Sequence, residues 1–365
     1  MNKVLSDARP LRASATITDV AARAGVSIKT VSRVMNAEPG VRPDLRAHVL
    51  AVMAELKYRP KLSARSLAGA RSFLIGLLYY DPSAAFVAGV QQGATLRCRE
   101  AGYHLVVESL NDDAPDIGHQ LDRMVSALRP DGMILTPPLC DNAVVLKALR
   151  DSHTPCVRLS PAREVDGMPS VRMDETQAAQ ELTDLLAGLG HTRIGFIKGA
   201  TSQAASRVRH QGFLRSMKAH RLSVEPQFVV QGEFTFESGV RAAQQLLQQA
   251  ERPTAIFASN DDMALGVLAT AQRLGIKVPE QLSIAGFDDS LASGLVWPPL
   301  TTVHQPKEEM ASAAVELLVA ARGEVAAPDQ PVQHLVLAHT LVLRGSTGPV
   351  PAGVAARALR RARDR

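Results

Sequence analysis

Apolar residues recur at helical spacing in three short segments between Thr16 and Leu56. Val20, Ala21 and Ala24 line the first, Val31 and Val34 the second, and Val49, Val52, Met53 and Leu56 the third. After Arg71 the texture changes. Short apolar runs, FLIGLLYY, HLVVES, GMILTPP, CVRLS, RIGFIKG, FVVQG, AIFASN and LSIAGFD, each close on a turn-forming or polar residue. Runs of this length, rich in Ile, Val, Leu and Phe, read as strands buried on both faces. Between them lie amphipathic stretches such as 88–101, 121–128, 177–189 and 238–249. Strand–helix alternation predicts parallel sheets covered by helices. Eight or more strands exceed one doubly wound unit, so two Rossmann-like lobes are expected. The pattern divides the chain into a disordered N-terminus (1–14), a helical head (15–59), a linker carrying one short helix (60–71), a two-lobed body (72–344) and a disordered tail (345–365).

Charge sharpens this division. The net charge is only +5. Residues 1–71, however, carry thirteen Lys and Arg against five Asp and Glu, which leaves the body acidic. A basic head on an acidic body suits nucleic-acid binding by the head. The three cysteines, Cys98, Cys140 and Cys156, are odd in number and widely spaced. They suggest buried core residues in a reducing cytoplasm rather than a disulfide or metal framework. No apolar run is long enough to span a bilayer, and the N-terminus lacks the apolar core of a secretory signal.

The segment TITDVAARAGVSIKTVSRVMN concentrates the chemistry. Thr16 can cap the first helix, with Asp19 placed to reach back to it. Gly25 falls where a left-handed residue ends a helix, and Ser27 caps a second helix over 28–35. Pro43 opens a third. With Val31 and Val34 turned inward, Ile28, Lys29, Ser32 and Arg33 share the outward face. Such a helix fits a major groove. Arg33 can donate twice to guanine, Lys29 can reach guanine or phosphate, and Ile28 can meet a thymine methyl. Thr16, Ser27, Thr30, Ser32 and Asn36 are short donors suited to phosphate.

This block, followed by AELKYRP and SLAG, resembles the LacI/GalR family of bacterial transcriptional regulators. The resemblance implies a helix-turn-helix head, a hinge helix, and a periplasmic-binding-protein-like body that binds a small effector between its lobes. It makes Ile28, Lys29 and Arg33 the base readers. It matches residues 60–69 to a hinge helix that pairs with its twin in the minor groove. Leu67 would be the wedge there, Ala64 would allow close approach, and Lys61 and Arg65 would contact the groove or backbone.

In the body the resemblance places Arg209, Phe234, Asn260, Asp288 and Gln305 around the effector, with Tyr80 and Asp81 as further candidates. Carboxylate, amide, guanidinium and an aromatic face are the mixture a sugar needs. Ser160 stands where an Asp can supply a hydroxyl contact, so a purine-like or organic-acid effector is the alternative. An acidic residue at a strand end also serves as a helix cap, the expected role of Asp289. Asp288 and Asp289, read as neighbours on an extended strand, point to opposite faces and suit no shared acid–base step. His104, His191, His210 and His304 lack metal-ligand spacing. No catalytic set, metal or cofactor is expected.

The chain is thus expected to be a cytoplasmic, homodimeric repressor of carbohydrate-utilisation genes, bound to a palindromic operator and released by a sugar-like effector. Corepression and activation are the alternatives of sign. A cytosolic binding or enzymatic domain with a basic tether is the alternative of class.

Overall fold

The computed structural model describes residues 15–35, 38–58, 71–80, 84–323 and 332–351. Asn36, Lys61, Ala64, Arg65, Leu67 and Asp81, with the whole hinge match, lie outside the described residues, as do 1–14 and 352–365. The chain separates into two compact units, 1–72 and 73–365.

The head is three helices: α1 (Ile17–Ala24), α2 (Ile28–Met35) and α3 (Pro43–Glu55). Its small core is Val20, Ala21, Ala24, Val31, Val34, Val49, Val52 and Tyr58, with Val26, Met53 and Leu56 packed against it. The turn between α1 and α2 depends on Gly25, whose φ of 64° is left-handed. Its N–H closes onto the Ala21 and Ala22 carbonyls at the end of α1.

The second unit holds two lobes. In the first, six parallel strands run in the order β11-β5-β4-β3-β1-β2. These are β1 (Leu74–Tyr79), β2 (His104–Ser109), β3 (Gly132–Leu135), β4 (Cys156–Leu159), β5 (Ser170–Met173) and β11 (His334–Leu337). Helices α4 (Ala84–Glu100) and α12 (Lys307–Gly323) cover one face through Phe86, Val90, Ala94, Met310, Ala314 and Leu318. Helices α5 (Ile117–Leu128) and α6 (Ala143–Asp151) cover the other through Ile117, Leu121, Val145 and Leu149.

The second lobe is a parallel sheet ordered β7-β6-β8-β9, built from β6 (Ile194–Lys198), β7 (Val229–Gln231), β8 (Ala255–Ala258) and β9 (Ser283–Ala285). Helices α7 (Glu175–Gly188) and α8 (Ala204–Ala219) pack on one face, where Phe196, Phe213 and Phe257 meet. Helices α9 (Phe236–Leu247) and α10 (Asp261–Arg273) pack on the other. A short α11 (Leu291–Leu295) precedes the antiparallel pair β10 (Thr302–His304) and β12 (Thr340–Val342). The chain crosses between lobes three times, after β5, after β10 and after β11. Among the described residues no helix is long and apolar enough to cross a membrane.

All eight apolar runs form strands. Residues 345–351, expected to belong to the tail, are instead packed on the body. Ser346 is fully buried; its Oγ donates to the Ile284 carbonyl and accepts from the Thr301 N–H. The Gly348 carbonyl faces Nε2 of the buried His191 at 3.0 Å. These contacts extend the edge of the second lobe, so residues 345–351 belong to the body.

Candidate functional site

On the head, the capping box is formed. Thr16 N–H donates to the Asp19 carboxylate at 2.8 Å, and Asp19 N–H donates back to Thr16 Oγ1 at 3.3 Å. The Thr16 N–H, and Thr16 Oγ1 donating to the same carboxylate oxygen at 2.8 Å, hold the Asp19 carboxyl below its usual range. Ser27 Oγ accepts the Thr30 N–H at 3.1 Å and lies 2.9 Å from Thr30 Oγ1, fixing the start of α2. Two proposed phosphate donors, Thr16 and Ser27, therefore also serve as caps, and the Thr30 hydroxyl is paired with Ser27. On the outward face of α2, Ile28 is 48% exposed, Lys29 is exposed, and Ser32 and Arg33 are half-buried. Ile28 therefore presents an apolar side chain to solvent beside the exposed Lys29. Arg46 of α3 donates to the Val34 and Glu38 carbonyls and so ties the end of α2 to α3.

The body carries a pocket at the carboxyl ends of both sheets, where open α/β folds bind ligands. Arg209, Phe234, Asn260, Asp288 and Gln305 line it, together with Phe86, Pro137, Ser160, Glu175, Gln203 and Ala205. It opens through Ser160, Glu175 and Ala205 into a wider cleft of about 370 Å³, rimmed by Pro161–Glu164, Arg172, Asp174 and Val208. Tyr80 follows β1, is 40% exposed and is not among the lining residues.

Arg209 is the centre of the pocket. Its Nε donates to Glu175 Oε2 at 2.9 Å, and its Nη1 donates to the Ser259 carbonyl and lies 3.5 Å from Asp288 Oδ1. Its guanidinium stacks 3.9 Å above the Phe287 ring. Gln305 Nε2 donates to Asp288 Oδ1, and Lys307 Nζ donates to the Asp288 carbonyl. Burial pushes the Asp288 carboxyl up, while Arg209, Lys307 and Gln305 pull it back. Behind it, burial and the Asp288 charge push Asp261 up as well.

Backbone strain gathers at this pocket. Ser160, Phe234 and Asp288 have φ of 43°, 61° and 120°. Gly199 leaves space for the Phe234 ring, since a Cβ there would lie 1.9 Å from it. Asn260 lines the pocket, but its Oδ1 caps α10 through Met263 N–H and its Nδ2 donates to the Phe234 carbonyl. It therefore holds the aromatic residue in place.

The extended-strand reading of Asp288 and Asp289 is corrected. β9 ends at Ala285, and both aspartates have positive φ. The turn sends Asp288 into the pocket and Asp289 to Arg344 at 2.6 Å and His304 at 3.0 Å. Glu175, Gln203 and Phe86 were missed in the sequence. Glu175 looks there like an ordinary first-turn acid, and its partner Arg209 is 34 residues away.

Residues 16–61 match the family model of bacterial regulatory proteins, lacI family, and residues 183–347 match that of the periplasmic binding protein-like domain. Catabolite control protein A of Priestia megaterium is 33% identical over 91% of this chain and 99% of its own. The HTH-type transcriptional repressor PurR of Klebsiella pneumoniae (strain 342) is 35% identical over 84% and 89%. The ribose operon repressor of Escherichia coli (strain K12) is 33% identical over 91% and 99%. Among solved structures, the lac repressor dimer bound to operator and the anti-inducer ONPF is 28% identical, with a TM-score of 0.75 over 92% of this chain and all of that one. The transcriptional regulator CelR–cellobiose complex is 28% identical, with a TM-score of 0.67 over 91% and 99%. With a capped helix-turn-helix in the head, a strand-end pocket in the body, and relatives that span both, the chain belongs to the lacI family of bacterial regulatory proteins, which bind DNA to regulate transcription.

Proposed function

We propose that the chain is a cytoplasmic homodimer that represses carbohydrate-utilisation genes and leaves its operator when a small sugar fills the pocket. Ile28, Lys29 and Arg33 of each copy read one half of a palindromic site. Ligand closes the two lobes on each other, and the change in the body alters the spacing of the two heads. A coupling of about 1–3 kcal/mol is enough to change occupancy severalfold to a hundredfold.

The observation that carries the effector reading is the state of the pocket's polar atoms. Gln305 Oε1 and Ser160 Oγ are buried and have no protein partner. They sit in a pocket with Asp288, Arg209 and the aromatic Phe234. Leaving such atoms without partners is costly, and ligand hydroxyls would satisfy them. The similar transcriptional regulator CelR, solved in complex with cellobiose, supports the same reading.

The pocket is read as a sensor, with no turnover of the sugar. A thermal-shift screen of the full chain over neutral mono- and disaccharides tests this. A sugar at a hundred times its dissociation constant should add about 2.7 kcal/mol of stability. It should be recovered chemically unchanged. A shift given only by purines or organic acids would replace the sugar, and conversion of the sugar would contradict the sensor.

A further inference from the structure

The charge of Arg209 is already answered inside the protein. Glu175 and Asp288 both approach the guanidinium, and all three side chains are buried. The other buried cation of this network, Lys307, donates to the Asp288 carbonyl. Asp261, also buried, lies behind them and accepts from Ser290 N–H and Thr302 Oγ1. Glu175 and Asp288 thus balance Arg209 and Lys307 without counting Asp261, whose carboxyl is pushed up by burial and by the Asp288 charge, so the deep pocket holds no surplus positive charge for an anion.

The polar atoms agree. Gln305 is oriented by its donation to Asp288, because a carboxylate only accepts. Its Oε1 must therefore be an acceptor, and it has no protein partner. A hydroxyl can donate to it, whereas a phosphate dianion or carboxylate offers only acceptors. Glu175 also occupies the first turn of α7, the positive end of that helix, where a ligand anion would otherwise be favoured. The start of α8 contributes the opposite sign. Gln203 makes no side-chain cap there and no acid lies in the first turn. The Ser206 N–H there is already taken by the Gln203 carbonyl at 3.2 Å.

We propose that Glu175 sets the ligand class of the pocket: by neutralising Arg209 it admits an uncharged, hydroxyl-rich molecule and rejects the phosphorylated or carboxylated counterpart. This rests on the carbohydrate reading above. Removing the carboxylate would free Arg209 for an anion, the partner a guanidinium otherwise seeks.

The test uses the full chain and matched sugars, each neutral sugar compared with its 6-phosphate and its uronate by calorimetry. Each neutral sugar that binds should do so at least about tenfold more tightly than its charged counterparts. In Glu175→Gln that ratio should fall to about threefold or less, and Glu175→Asp should restore it. The comparison on the unsubstituted protein stands even if Glu175→Gln does not fold. Charged sugars that bind the native protein as well as neutral ones, or a folded Glu175→Gln with the ratio unchanged, overturn the proposal and leave the carbohydrate reading standing. Failure of every neutral and charged sugar to bind overturns both.

Discussion

Arg33 Nε donates to the Glu38 carboxylate at 3.3 Å, and its Nη2 donates to the Pro39 carbonyl at 3.3 Å. The side chain assigned to guanine thus leans on the loop beyond its own helix. Reaching a base requires it to leave these partners, and the ion pair is half-exposed and weak. Arg33→Ala should cost about 1–3 kcal/mol and relax base preference at one position of each half-site. Glu38→Gln should keep or modestly raise operator affinity, by about fivefold at most. Binding titrations on a selected operator and its single-base variants check both. Unchanged base preference in Arg33→Ala would remove that residue from the reading face.

Arg158 is fully buried beneath the cleft rim. Its Nε donates to the Cys140 carbonyl at 2.6 Å, its Nη1 to the Arg163 carbonyl at 3.0 Å, and its Nη2 pairs with Asp141 at 2.5 Å. The other Asp141 oxygen accepts the Ala162 N–H at 2.8 Å. One guanidinium therefore stitches the 161–164 rim to the first lobe. Arg158→Met should cost about 3 kcal/mol or more, because it strands a carboxylate and two carbonyls. Urea denaturation measures this, and a loss below about 1 kcal/mol would show that the rim holds without it.

Asp261 gives a pH signature. Burial and the Asp288 charge push its carboxyl up to about 7 from 3.8. The native state then keeps a proton that the unfolded chain gives up. The stabilisation from this group is full below pH 3.8 and is lost as pH rises through about 7. His191 and His210, pulled down by burial, act in the opposite direction, and their stabilisation is lost as pH falls below 6.5. The comparison of two proteins isolates the carboxyl. Between pH 5 and pH 8, Asp261→Asn should lose less stability than the unsubstituted chain in urea titrations. An equal loss would place the titration elsewhere.

The order of strands and helices was legible because strands buried on both faces are continuous apolar runs. β5 escaped because its SVRM run is short and carries a half-buried Arg172 at its centre. β10 and β12, three residues each, are too short for any periodicity. The pocket was legible at strand ends, where Phe234, Asn260 and Asp288 stand out as polar or aromatic breaks after apolar runs. Glu175 was hidden because it follows β5, a strand the apolar pattern did not reveal. Ser346 was hidden because a buried serine paired to backbone looks in sequence like any loop serine. Tyr80 and the head's caps show the converse: a residue type suited to a ligand is not evidence of where it points.

The direct test of the account is the affinity of the full chain for its selected operator, at fixed salt, with and without the sugar that stabilises it most. The account predicts about tenfold or greater weakening by the sugar, with no change on a scrambled duplex and no effect in Asp288→Ala. Equal operator affinity with the pocket empty and filled would contradict it.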